Sequence, residues 1–161
     1  MSEKPGAGPP KRGEHTMFRT VVAVAAIAIG VTAVAAQSDP IAARRALMKE
    51  VGAQTKTGGQ MAKGELPYDQ AKAQGILAVY VDAAGKLTTL YPENSKTGGD
   101  TAALPAIWAN MADFKGRYDK LGAEAKAAQS SVKDLDSFKA AFPGLTKNCG
   151  GCHETYRAKK S

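Results

Sequence analysis

From residue 37 onward the sequence predicts an all-α fold, an antiparallel four-helix bundle. Three observations predict it. Apolar residues recur at helical spacing in four segments, no stretch alternates with the period of a strand, and Pro, Gly and Ser fall between the segments. No internal repeat is present.

The 161 residues leave room for one ordinary domain behind a leader. Residues 1–16 are polar and rich in Gly and Pro, and they cannot build a core. They read as a disordered leader, or as a stretch before a true start at Met17. Residues 17–36 read as a signal peptide: Arg19 supplies the positive start, Val21 to Val34 an uncharged apolar run, and Val34-Ala35-Ala36 the small residues before a cut at Gln37. The alternative is an uncleaved anchor, since the apolar run is just long enough to span a bilayer. Either places residues 37–161 outside the cytoplasmic membrane, in the periplasm, with membrane attachment only if the leader stays on.

The first helix is expected from about Asp39 to Thr57, with Ser38 or Asp39 as cap and Pro40 in its first turn. Ile41, Leu47, Met48 and Val51 form its stripe. Gly58-Gly59 is expected to end it, with an irregular extension through Met61 and Ala62. The second begins near Pro67, carries Ile76, Leu77, Tyr80 and Ala84, and stops at Gly85. Gly75 in its middle is unfavourable by about 1 kcal/mol relative to Ala, so a close helix approach is expected there. A long connection, Lys86 to Ala103, follows; connections of this length often carry function.

The third helix is expected from Leu104-Pro105 to Gln129, with Ile107, Trp108, Met111, Phe114, Tyr118 and Leu121 on its buried face. The fourth follows Ser130-Ser131 and carries Val132, Leu135, Phe138 and Phe142. Pro143 removes the bond to the carbonyl of Lys139, so a kink or break is expected before the helix resumes through Cys149, Cys152 and His153. Four such helices enclose a core between facing helices, where a planar cofactor can sit.

The only two cysteines lie in Cys149-Gly150-Gly151-Cys152-His153. A disulfide this short would stabilise little. The C-x-x-C-H pattern instead suits haem c: two thiols add across the vinyl groups and the adjacent imidazole reaches the iron. On a helix, Cys149 and His153 lie roughly 40° apart and Cys152 roughly 60° to the other side of Cys149. All three therefore share one surface. A thioredoxin-like redox pair would need a βαβ setting and a helix N-terminus, which the sequence does not offer. Half of a zinc site would need further ligands, and the other histidine, His15, is in the leader.

The formal net charge of +7 does not point to nucleic acid. The basic residues are spread along the chain and aromatics are only 6%, so no stacking platform is formed; the charge reads as a solvated surface able to steer acidic partners. No nucleophile–base pair suggests bond-making catalysis, so an enzyme is not expected.

A signal peptide, four helices and the C-terminal CGGCHETYR together resemble the class II c-type cytochromes, the cytochrome c′ and cytochrome c-556 group. The likeness covers residues 39–159. Arg44 with Met48 resembles that family's first-helix pair, Leu90-Tyr91-Pro92 its loop after the second helix, Pro105-Ala106-Ile107-Trp108 its third-helix start, and Tyr156-Arg157 the residues after the haem histidine. The resemblance implies one covalent haem c, redox partner proteins and often a homodimer through the first two helices. It places Met48 on the open side of the haem and Arg44 by a propionate, where a guanidinium could pair in bidentate fashion. It also implies a choice. A Met at this position gives a six-coordinate, low-spin electron carrier with His153 and Met48 as ligands; an open site gives a five-coordinate protein that binds nitric oxide or carbon monoxide. Tyr91 and Trp108 are candidates for the pocket lining or for ordinary packing.

Overall fold

The computed structural model describes residues 39–159, so the leader and signal-peptide readings lie outside the described residues. Five α-helices and one 3-10 turn make up the chain there: α1 (Pro40–Lys63), α2 (Gln70–Leu87), the turn Glu93–Ser95, α3 (Ala106–Ala109), α4 (Met111–Ser131) and α5 (Leu135–Tyr156). The four long helices form a ring. α1 packs on α2 and α5, and α4 packs on the same two from the other side. Tyr80, Phe114, Phe138, Ile76, Leu77 and Leu145 are almost wholly buried at its centre.

The local chemistry explains each boundary. Asp39 caps α1 by accepting the Ile41 N–H at 2.9 Å, and Pro40 follows where its missing N–H has no partner to lose. α1 then runs past Gly58-Gly59, the expected stop, to Lys63. Gly64, at φ 77°, ends it instead. Gly58 is retained for space: a Cβ there would lie 2.5 Å from the Phe142 ring of α5. Asp69 caps α2 through the Lys72 N–H. α2 likewise passes its expected stop at Gly85, and ends where the Thr88 and Thr89 hydroxyls donate to the carbonyls of Gly85 and Lys86. The close approach expected at Gly75 does not occur, because Gly75 faces outward with open space around it. The tight crossing is at Gly122 of α4, where an added Cβ would meet Ala84 of α2 at 3.2 Å.

Two expected features differ on the C-terminal side. The third helix is two pieces, α3 and α4, because Asn110 leaves helical geometry (φ −131°, ψ 46°) and its side-chain amide donates back to the Ala106 carbonyl. α5, by contrast, passes Pro143 without a break. Pro143 and Lys139 are both exposed, so the carbonyl that loses its partner faces water. Asp134 and Ser137 start α5 with a reciprocal capping box.

The long connection is held at both ends. The Trp108 indole N–H donates to the carbonyl of Tyr91 at 3.0 Å. Ala103 pairs with Arg157 in an isolated antiparallel bridge, with the Leu104 N–H donating to Tyr156 O and the Ala158 N–H to Ala102 O. The connection is therefore sewn to the end of α5. Among the described residues, no helix is long and apolar enough to cross a membrane.

Candidate haem site

α5 carries Cys149, Cys152 and His153 on consecutive turns, all half-buried and all facing one cavity of about 370 Å³. The thiols are free and are not joined to one another. Val51 of α1, Ala83 and Leu87 of α2, and Tyr118 and Leu121 of α4 supply most of the remaining wall, which is largely apolar. A second cavity of about 130 Å³ adjoins it and opens toward Arg44, Tyr91 and Tyr156. Met48, Tyr118, Cys152, His153 and Arg157 line both. The expected residues thus meet: Met48 on α1 and His153 on α5 share two cavities although 105 positions separate them in sequence.

The electrostatics follow from this burial. Burial, and then the charge of Arg157, hold the His153 imidazole below its ordinary pKa, which favours the neutral form that can donate a lone pair to a metal. Burial pushes both thiols up. Tyr80, buried on α2, is pushed up to about 12 by desolvation, with its hydroxyl 2.8 Å from that of Thr55, a lining residue.

Arg44 lies 4% exposed and borders the second cavity, but both of its Nη groups are committed. Nη1 donates to Leu90 O and Ser95 Oγ, and Nη2 to Ser95 O and Thr101 Oγ1. Its guanidinium also sits 4.7 Å over the Tyr91 ring. The bidentate pairing expected from the sequence would require giving these bonds up; a buried guanidinium takes the fixed carbonyls within reach of it. Tyr91 reaches the cavity lining, whereas Trp108 packs against the connection. Met61 is buried in the core and Met111 packs against it, and neither lines these two cavities. Tyr118 and Arg117 are lining residues that sequence reasoning missed. Tyr118 sits in an ordinary apolar stripe. The Asp113–Arg117 spacing of four was the only available sign for Arg117.

The chain's own groups fit haem c. Two unpaired thiols and a neutral-leaning imidazole share one wall, apolar side chains form the opposite walls, and Arg157 brings a cation to both cavities, while Arg45 at the smaller one is paired with Asp100 at 2.9 Å. Among the described residues, no three His, Cys, Asp or Glu side chains group to hold a bare metal ion. A four-helix bundle with a C-x-x-C-H turn on its last helix facing an apolar slot defines a c-type cytochrome of the helical-bundle class.

Comparison with known proteins narrows that class. A family model described as Cytochrome C' matches residues 39–157. The chain is 50% identical over 126 residues to cytochrome c' of Rhodopseudomonas palustris, covering 78% of this chain and 86% of that one. It is 34% identical over 148 residues to cytochrome c-556 of the same organism, covering 89% of this chain and 99% of that one. The solved structure of the Rhodopseudomonas palustris cytochrome c' superimposes with a TM-score of 0.75, covering 78% of this chain and all of that one. The chain belongs to the cytochrome c′ family, the electron-carrier family that includes the c-556 proteins, and its cofactor is covalently bound haem c.

Proposed function

We propose that this protein is an exported electron carrier whose single haem c would be joined to Cys149 and Cys152, with His153 and Met48 as the ligands of its iron. The observation that carries the reading is that Met48 lines both cavities in which His153 stands. Haem c supplies a one-electron iron couple at this position. His153 presents a neutral nitrogen from α5. Met48 presents a soft, neutral thioether from α1, which favours reduced iron and raises the potential. Val51, Leu87 and Leu121 give the slot apolar walls that would limit water around a bound haem, and packed helices on both sides would hold His153 and Met48 in place. Electrons pass to and from redox partner proteins.

Export is supported by the leader over residues 17–36. The likeness to cytochrome c-556 spans more of the chain than residues 37–161 contain, so it reaches into that leader. This supports a periplasmic location.

A second reading is favoured by one observation: the relative at 50% identity bears the name cytochrome c'. On that reading Met48 is core packing and the iron is five-coordinate and open to nitric oxide or carbon monoxide. The visible spectrum of the oxidised holoprotein separates the two. A low-spin spectrum with the long-wavelength band of a thioether–iron bond, lost in Met48→Leu, supports Met48 ligation. A high-spin wild-type spectrum that shifts with carbon monoxide and is unmoved by Met48→Leu refutes it.

A further inference from the structure

Arg117 of α4 stands between the haem cavity and a surface groove on the outer side of the Cys149–Cys152 turn, and it lines both. Its Nη1 donates to the carbonyl of Gly151 at 2.8 Å, inside the C-x-x-C turn itself. Its Nε donates to Asp113 Oδ2 at 2.8 Å, and the same carboxylate oxygen accepts the Tyr156 hydroxyl. The guanidinium carbon lies 5.2 Å from the Tyr156 ring centre, and that ring meets Phe114 edge-on at 5.2 Å. One turn of α4 therefore grips α5 at two points. Gly151 directly precedes Cys152, and Tyr156 follows His153 by three.

Stability alone does not explain this arrangement. Arg117 and Asp113 are 35% and 54% exposed along their side chains, and ion pairs in that setting contribute little. Nor does the pair bring a net field to the cavity, because Asp113 offsets Arg117. The Tyr156 hydroxyl first, and Arg117 second, hold the Asp113 carboxyl below its ordinary range and keep it ionised. What remains is geometry. A guanidinium can bond a carbonyl and a carboxylate at fixed separation through different nitrogens, and an ammonium cannot reproduce that fork. On the other side of α5, the Leu104 N–H donates to Tyr156 O and ties the same turn to the connection.

We propose that Arg117 is a positioning residue for the haem-attachment turn: through Gly151, Asp113 and Tyr156 it sets the orientation in which Cys152 and His153 meet the haem. The proposal rests on the assignment of Cys152 and His153 as haem-binding residues. It is tested on purified holoprotein carrying Arg117→Lys, Arg117→Met or Tyr156→Phe, by redox titration and by the iron-shifted NMR resonances of the His153 ring. Both Arg117 variants should move the His153 resonances and shift the midpoint potential in the same direction, with Tyr156→Phe producing a smaller shift of the same sign and helix content unchanged. If Arg117→Lys matches the wild type while Arg117→Met shifts, charge is what matters and the positioning role is overturned. Unmoved resonances with a lowered melting temperature overturn it as well, leaving only a structural contact. A wild-type holoprotein with no iron-shifted histidine resonances refutes the ligand assignment itself, and the positioning role falls with it.

Discussion

Arg44 grips Ser95 with both prongs of its guanidinium, Nη1 on the hydroxyl at 2.8 Å and Nη2 on the backbone carbonyl at 3.0 Å. Both residues are buried, and every acceptor of the guanidinium is neutral. The contact latches the connection between α2 and α3 onto the helix that carries Met48, one turn further on.

Removing this latch should destabilise the holoprotein strongly. Arg44→Met takes the guanidinium donors away from two carbonyls and two hydroxyls, and the expected loss is about 3 kcal/mol. Arg44→Lys keeps the charge but not the fork, and should lose about 1–2 kcal/mol. Urea unfolding checks both values; equal stability of Arg44→Met and wild type would show that the latch contributes nothing.

Glycine replacements should split by site. Gly58→Ala pushes a methyl group into the Phe142 ring, and the overpacking should cost about 1–3 kcal/mol despite the better helix propensity. Combining it with Phe142→Leu should recover part of that loss. Gly75→Ala meets open space and should raise stability by about 1 kcal/mol. Thermal melting of the three variants tests the contrast.

Pro143→Ala should stabilise α5. The substitution restores an N–H for the carbonyl of Lys139 within an unbroken helix, and the gain should be about 2 kcal/mol after the greater freedom of the unfolded chain is deducted. The melting temperature should rise with the haem spectrum unchanged. A changed spectrum would mean that the proline shapes the attachment turn.

Acid should weaken the fold only modestly through two exposed carboxylates, since solvent screens both. Tyr156 and Arg117 hold Asp113, and Ser137 holds Asp134, below the ordinary value of 3.8. A group whose folded pKa is depressed contributes its stability above the unfolded value and loses it as pH falls through the folded one. Stability should therefore decline below about pH 4. Asp113→Asn and Asp134→Asn should each be less stable than the wild type at neutral pH and lose less on acidification. An acid limb identical in all three proteins would show that other groups govern it.

Much of the fold was legible because its signals are local. Asp39 caps α1 as its side chain dictates, and the apolar spacing of Ile76, Leu77 and Tyr80 does mark the buried face of α2, although that helix starts at Gln70 behind an Asp69 cap rather than near Pro67. The glycines misled. Gly58 and Gly85 look like stops, yet both lie inside helices, because packing against a neighbouring ring or continued backbone bonding outweighs a propensity of about 1 kcal/mol. Asn110 could not be recognised as a break, since its side-chain bond to the Ala106 carbonyl is an arrangement that an asparagine inside a helix need not adopt.

The sequence by itself determined the helical bundle, the C-x-x-C-H motif of Cys149, Cys152 and His153 to which we assign the haem, and the membership of Met48 in the first helix. These depend on covalent chemistry and on spacing along the chain. Only the tertiary structure decided that Met48 and His153 border the same cavities, that Arg44 spends its donors on the connection, and that Arg117 reaches the Gly151 carbonyl. Each of these joins residues 34 to 105 positions apart, and such contacts are set by how helices pack, which no local pattern encodes.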